Sequence, residues 1–179
     1  MTVVFLDRDG VINKNRDDYV KTVEEFIFLP GALEGLAKLK KAGITTVVVS
    51  NQAGIGRGLI KPSELERINH KMFQEIAERG GEISALYCCT HRKDEGCECR
   101  KPEIGLFRKA STELGINLAD SYLIGDSKSD IEAGLRAGCK TVLVLTGKTS
   151  AEEVGTWEHQ PDHIAPDLPI AADWILAAS

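Results

Sequence analysis

The sequence predicts an α/β fold, a doubly wound parallel sheet in a single domain, and three observations carry that expectation. Short apolar, β-branched runs alternate with amphipathic stretches at helical spacing through most of the chain. None of the runs alternates cleanly between apolar and polar residues, the pattern of parallel strands covered on both faces. Three runs end on a polar residue, Asp7, Ser50 and Asp126, at the strand ends where open parallel sheets carry their ligand crevice.

Taken in order, Val3-Val4-Phe5-Leu6 is a strand that stops at Asp7. Pro30-Gly31 opens a helix through Leu33, Leu36, Ala37, Leu39 and Lys40, which Gly43 is placed to end. Ile44 to Val49 reads as a buried strand stopping at Ser50-Asn51. Pro62 and Ser63 open a second helix with Leu65, Ile68, Met72, Phe73 and Ile76 at helical spacing, and Gly80-Gly81 follow it. Ala85 to Cys89 is a weaker strand, and Ile104 to Leu114 a third helix ended by Gly115. Tyr122-Leu123-Ile124 is a short strand before Gly125-Asp126. Ile131 and Leu135 mark a helix ended by Gly138, and Thr141 to Leu145 the last clear strand. Ala171 to Ala177 makes a short terminal helix. The inserts after the first and second strands are too short to build a cap, so one capless domain is expected over residues 1–179.

Composition narrows the function. A chain of 179 residues with 42% hydrophobic and 27% charged residues supports a packed core and argues against disorder. The net charge of −5 does not suit a duplex-binding protein, whose affinity rests on neutralising phosphates, so no nucleic-acid partner is expected. No apolar run approaches the roughly 20 residues that span a bilayer. The start, MTVVFLDRDG, lacks the basic and apolar regions of a secretion signal. A cytoplasmic monomer is expected, whose five cysteines are metal ligands or core residues rather than disulfides.

Asp7-Arg8-Asp9-Gly10 puts two carboxylates two residues apart just past a strand. Two carboxylates in a crevice repel unless a cation sits between them. Asp126 supplies a third oxygen ligand, and a small set of hard oxygens fits Mg²⁺ better than Ca²⁺. Alone, Asp-x-Asp is commonly a solvated turn, Ser50-Asn51 a turn pair and Lys101-Pro102 a loop charge. Their joint order is the signal. Asp7-Arg8-Asp9-Gly10, Ser50, Lys101 and Gly125-Asp126-Ser127-Lys128-Ser129-Asp130 together resemble the haloacid dehalogenase (HAD) superfamily of phosphohydrolases, over Val3 to about Gly147.

The resemblance implies a HAD-like Rossmannoid fold and a mechanism. Asp7 is the nucleophile that becomes an aspartyl-phosphate, and Asp9 the general acid and base. Mg²⁺ is held by Asp7, Asp126 and the carbonyl of Asp9, while Ser50 and Lys101 contact the phosphoryl oxygens. Asp130 orients Lys101 or metal-bound water.

Cys89, His91, Cys97 and Cys99 place four soft or borderline ligands within eleven residues, a closed Cys₃His set of the structural Zn²⁺ type. The alternatives are a reduced, unliganded set or catalytic thiols. Cys88, on the opposite strand face from Cys89, and Cys139 read as core. The zinc loop, 89–99, runs directly into Arg100-Lys101-Pro102. That pairing resembles the branch of heptose 1,7-bisphosphate phosphatases and histidinol-phosphate phosphatases. Further likeness to the heptose enzymes lies in Ser50 to Gly58 and Tyr19-Val20. This branch implies removal of the 7-phosphate from a heptose bisphosphate, a step in making activated heptose for surface sugars. Its implied substrate-binding residues here are Arg8, Tyr19, Asn51, Gln52, Arg57 and Arg100.

Two positions depart from that branch: Ser50 stands where it has Thr, and Ser127 where it tends to have Lys. Lys128 is the candidate compensation. The Asn13 to Asp18 segment is slightly longer, and Gly54 to Gly58 reads as a mobile substrate loop carrying Arg57. His70, His159 and His163 read as surface or helix residues. Rival functions are histidinol-phosphate or broader sugar-phosphate hydrolysis, a phosphoacceptor receiver domain, and a zinc-stapled binding module with an inert core.

Overall fold

Val3–Leu6 (β1) is buried along its whole length and lies at the centre of the molecule. Its side chains divide by the two-residue period of a strand. Val4 and Leu6 enter one apolar cluster, Val3 and Phe5 another on the opposite face. A strand covered on both faces has no polar side to show, which is why its sequence does not alternate. The computed structural model describes residues 2–178.

After β1 come α1 (Ala32–Lys41), β2 (Thr45–Asn51), α2 (Ala53–Gly56), α3 (Pro62–Glu78) and β3 (Ala85–Cys89). They are followed by α4 (Gly105–Leu114), β4 (Tyr122–Gly125), α5 (Lys128–Ala137), β5 (Lys140–Val144), α6 (Ala151–Val154), β6 (His163–Ala165) and α7 (Leu168–Ala178). The strands form a six-stranded, fully parallel sheet in the order β3-β2-β1-β4-β5-β6. The chain winds outward from β1 through β2 to β3, then restarts on the other side at β4. The ends of β1 and β4 therefore flank the point where the winding reverses, and a crevice opens there.

The large apolar cluster gathers α1, α3 and α7 on one face through Leu36, Leu39, Ile68, Met72 and Ile175. The second gathers α4 on the other through Leu106 and Phe107, with Phe5 and Phe107 ring centroids 5.1 Å apart. Residues 7–31 fold as an irregular loop over the strand ends, with isolated bridges at Asn13 and no helix or strand among them. No cap is present among the described residues. None of the described helices is long and apolar enough to cross a membrane.

The predicted strands and helices are all present, and four places differ. β2 continues through Ser50 and Asn51, which pair with Cys88 and Cys89, because β3 supplies hydrogen-bonding partners that local sequence does not reveal. Gly54 to Gly58, expected as a mobile loop, begins inside α2 with Gly54 and Gly56 closely packed, while Arg57 and Gly58 are exposed. A Cβ at Gly54 would lie 2.5 Å from Ile60, and one at Gly56 2.5 Å from the Thr90 carbonyl. The short α6 and β6 fall in a segment without periodicity. His163, read as a surface residue, starts β6 beside Val142 and stacks on Trp174 at 4.7 Å. α7 begins at Leu168, ahead of Ala171, since Pro169 is tolerated in a first helical turn where its missing N–H has no partner to lose.

Candidate active site

The parallel ladder carries Asp7 one residue past β1, its amide still donating to the Ile124 carbonyl at 3.0 Å. The chain then turns. The Arg8 carbonyl accepts the amides of Val11, Ile12 and Asn13, and Gly10 takes φ 88°. That position requires glycine twice over, because a Cβ there would also meet Asp126 Oδ2 at 2.3 Å. Asp126 follows β4, and its Oδ2 accepts the Lys148 amide at 2.9 Å. Asp130, in the first turn of α5, accepts the amides of Asp126 and Ser127 at 3.2 and 3.1 Å.

Lys101 reaches the same point from the loop before α4. Its ammonium lies 3.0 Å from Asp7 Oδ1 and 2.7 Å from Asp130 Oδ1, and donates to the Val49 carbonyl at 2.8 Å. Asn51 clamps the Lys101 backbone from both sides, accepting its amide at 3.0 Å and donating to its carbonyl at 3.2 Å. Both amide groups of Asn51 are thus engaged in holding Lys101, the residue beside the crevice, in place.

Asp9 is gripped differently. Arg8 Nη2 donates to its two oxygens at 3.1 and 3.2 Å, Asn13 Nδ2 at 2.8 Å, and Gln52 Nε2 at 2.7 Å. Gln52 Nε2 also donates to Ser50 Oγ at 2.8 Å, which leaves the buried Ser50 hydroxyl its own proton to give. Arg8 and Gln52, expected at the substrate, instead lie behind Asp9. Both are fully buried, with Arg8 side-chain exposure of 0%.

The charges fall into two groups. Burial pushes the Asp7 carboxyl up to about 7, with the neighbouring Asp130 and Asp9 adding to it and Lys101 opposing. Asp126 rises to about 8, first through burial and then through Asp130 and Asp7. Burial also acts upward on Asp9 and Asp130, but is outweighed. The Arg8 charge and the Asn13 and Gln52 hydrogen bonds hold Asp9 below the usual range, and Lys101 does the same for Asp130. Lys101 in turn is held above the normal lysine range by Asp130 and Asp7 against its burial.

Asp7, Asp126 and Asp130 bring carboxylate oxygens within 4.8 Å of one another. Two of these three carboxylates, Asp7 and Asp126, are driven towards neutrality by burial and by neighbouring carboxylate charge. Such a hard-oxygen set fits a divalent cation of the Mg²⁺ kind. The Asp9 carboxylate is turned away from this set and committed to Arg8, Asn13 and Gln52.

Cys89, His91, Cys97 and Cys99 form a second group. Sγ to Sγ distances run from 3.1 to 3.6 Å, and His91 Nδ1 lies 3.2 Å from Cys99 Sγ and 3.6 Å from Cys89 Sγ. Ligands about 2.3 Å from a tetrahedral Zn²⁺ stand somewhat under 4 Å apart, so the donor set and its spacing fit. Cys139 is core as expected, its thiol pushed up to about 12 by burial. Cys88 is half-buried and outside the crevice lining, its thiol pushed up to about 11 chiefly by burial.

The crevice between these groups has a volume of about 310 Å³ and is lined by Asp7, Asp9, Asn51, Lys101, Asp126 and Asp130, with Arg100 and Tyr19 at its edge. Arg100 Nη1 is buried without a hydrogen-bond partner. Tyr19 takes φ 67°, a left-handed conformation rare for a bulky residue, with Arg16 Nε donating to its carbonyl at 3.3 Å. Its hydroxyl accepts from Arg57 Nη1 at 3.1 Å, and Arg57 itself stands outside the crevice lining. Ser127 caps α5 through Asp130 Oδ2 at 2.7 Å, and Lys128 pairs with Glu132 at 3.8 Å outside the crevice. Lys128 does not take the place of a crevice cation. Lys148, Arg16 and Ser129 do line it. Sequence reasoning did not single out Lys148; the Thr-Gly-Lys that follows a buried strand was the available signal.

The comparisons agree with this geometry. Residues 98–171 match the HAD-hydrolase-like family model. The chain is 42% identical over 176 residues to the D-glycero-β-D-manno-heptose-1,7-bisphosphate 7-phosphatase of Bordetella bronchiseptica, covering 98% of each. It is 45% identical over 148 residues to the enzyme of that name from Pseudomonas putida, covering 83% of this chain and 85% of the relative. The crystal structure of D,D-heptose 1,7-bisphosphate phosphatase from B. bronchiseptica, complexed with magnesium and phosphate, superposes with a TM-score of 0.93 at 36% identity over the whole of both chains. This chain belongs to the HAD-like hydrolase family, among the relatives of the heptose-bisphosphate 7-phosphatases.

Proposed function

We propose that this protein is a phosphatase that removes the 7-phosphate from D-glycero-β-D-manno-heptose 1,7-bisphosphate. The observation that carries this reading is the pairing of Asp7 with Lys101 at 3.0 Å beside a trio of carboxylates, in a chain 42% identical to a phosphatase of that name along nearly its full length. Histidinol-phosphate hydrolysis and the non-enzymatic readings have no comparable support.

Among the described residues, Asp7 is the only carboxylate that both faces the crevice at a strand end and touches Lys101 without also being tied to the α5 cap. Its oxygen attacks phosphorus, the bond from phosphorus to the sugar oxygen breaks, and an aspartyl-phosphate forms. Lys101 and the Ser50 hydroxyl face the phosphoryl oxygens with positive charge and a proton. Asp9 gives a proton to the departing sugar oxygen, then takes one from the water that attacks the aspartyl-phosphate. In the free site Asp9 is held ionised. The charge of an arriving phosphoryl group acts against Arg8 and raises its affinity for that proton. Mg²⁺, held by Asp7, Asp126 and the Asp9 carbonyl, would supply the positive charge that keeps the carboxylates ionised and neutralises phosphoryl oxygens.

Cys89, His91, Cys97 and Cys99 would hold a structural Zn²⁺. The loop it orders presents Arg100 to the rest of the sugar phosphate, and Tyr19, which lines the same crevice, is held from behind by Arg57 at 3.1 Å. We take the whole chain to act as one domain and one monomer in the cytoplasm, where its cysteines would stay reduced and free to bind metal.

The test is phosphate release from both heptose bisphosphate anomers, histidinol phosphate and fructose 1,6-bisphosphate, with Mg²⁺, with EDTA, and with Asp7→Asn. Preference for the β-anomer, lost with EDTA and in the variant, is the expected result. Preference for histidinol phosphate keeps the chemistry and overturns the substrate. Full activity of Asp7→Asn overturns the mechanism.

A further inference from the structure

A bisphosphate brings two anionic groups, and the reacting one is met by Lys101 and Ser50. The second needs a cation whose charge is not already spent. Four basic side chains line the crevice: Arg16, Arg100, Lys101 and Lys148. Arg16 is held by Asp18 at 3.0 Å and Glu25 at 3.5 Å, and Lys101 by Asp7 and Asp130. Arg100 and Lys148 have no ion pair among the described residues.

Lys148 is anchored and free at once. Its amide donates to Asp126 Oδ2 at 2.9 Å, which fixes its backbone at the rim of the carboxylate trio, while its exposed side chain has no hydrogen-bond partner among the described residues. The preceding residue must be glycine for this close approach, since a Cβ at Gly147 would stand 1.9 Å from Asp126 Oδ2. Lys148 also lines a neighbouring cavity of about 570 Å³ with Lys14, Asn15, Asp17 and Thr146, which shares Asn15, Asp17 and Lys148 with the crevice and in which two lysines face the single carboxylate of Asp17. It enters past β5, whereas Arg100 enters from the loop after β3, on the other side of β1.

We propose that Lys148 is a specificity-determining residue that binds the substrate's second, non-reacting phosphate from the β5 side of the crevice. The inference rests on the sugar-bisphosphate reading above. It accounts for how Ser127 and an outward-turned Lys128 can stand in the α5 turn without leaving that side of the crevice uncharged.

The measurement is kcat/KM for a sugar bisphosphate divided by kcat/KM for the matching monophosphate, in wild type, Lys148→Ala, Lys148→Arg and Lys128→Ala. The pair is heptose 1,7-bisphosphate with heptose 7-phosphate, and fructose 1,6-bisphosphate with fructose 6-phosphate. Losing a charged hydrogen bond to phosphate lowers the ratio about tenfold or more in Lys148→Ala, mainly through KM. Lys148→Arg restores most of it, and Lys128→Ala keeps it. An unchanged ratio in Lys148→Ala overturns the proposal, as does an equal loss on both members of a pair, which would place Lys148 at the reacting phosphate. If the ratio falls on the fructose pair while heptose bisphosphate is not turned over, Lys148 stands and the heptose reading falls. A wild type with no preference for either bisphosphate overturns both.

Discussion

Asp9 and Asp7 stand two residues apart and are prepared for opposite tasks by their partners. Asp7 faces a lysine already shared with Asp130, and Asp9 is held by an arginine and two amides. Gln52 links Asp9 to Ser50, so Gln52→Ala is expected to lower kcat by about tenfold with little change in KM, the pattern of a residue that positions another. Lys101→Ala should lower kcat by about 10²–10³, the scale seen when one charge-stabilising donor is removed. Retained zinc and an unchanged far-ultraviolet circular dichroism spectrum would show that the fold survives. Gly147→Ala forces a Cβ onto Asp126 Oδ2 and should raise the Mg²⁺ concentration needed for half-activity at least several-fold. A magnesium titration of steady-state rate checks it.

At the scale of elements, the Cys89–Cys99 loop and α2 lean on each other. The Gly56 amide donates to the Thr90 carbonyl at 2.9 Å, and Gly105 closes the other side of the loop with its amide on the Glu98 carbonyl at 2.9 Å. Gly56→Ala drives a Cβ into backbone rather than into a flexible side chain, and a cost of about 1–3 kcal/mol is expected. Thermal melting of the zinc-loaded protein would measure it. Residues 92–96 are exposed and include only a single short turn of 3₁₀ helix, so little besides the ligand set orders them. Zinc removal at pH 7 should therefore leave the sheet cooperative while exposing the 90–104 segment to proteolysis. Activity should be lost with it because Lys101 sits on that segment. A single early cleavage there, with the remainder resistant, is the expected pattern.

At the scale of the molecule, the carboxylate trio links stability to pH and to metal. In the unfolded chain Asp7 and Asp126 ionise near 3.8, but folded and without metal they keep their protons to about 7 and about 8. The folded state then binds more protons over that interval, so this contribution is full below pH 4 and is lost as pH rises towards 8. Asp9 and Asp130, held low, exert their opposite effect only below about 4. The Tm of the EDTA-treated protein is expected to fall between pH 5 and pH 8, and Mg²⁺ to raise it more at pH 8 than at pH 5. A Tm that rises over this interval without metal would contradict the burial of these two groups.

The sequence by itself determined the sheet, because parallel strands buried on both faces must be written as short unbroken apolar runs. It also determined which residues end those runs, and so Asp7, Asp126 and the cluster of soft donors from Cys89 to Cys99. The tertiary structure decided what the polar neighbours do. Arg8, Asn51 and Gln52 have the chemistry of substrate ligands, and only the packing turns Arg8 and Gln52 back onto Asp9 and Asn51 onto the Lys101 backbone. It also decided that Lys148 belongs to the crevice and Lys128 does not. Both are exposed lysines just past a strand. Which of them faces the reacting carboxylates depends on the path of the chain across the sheet, a long-range matter that local spacing does not encode.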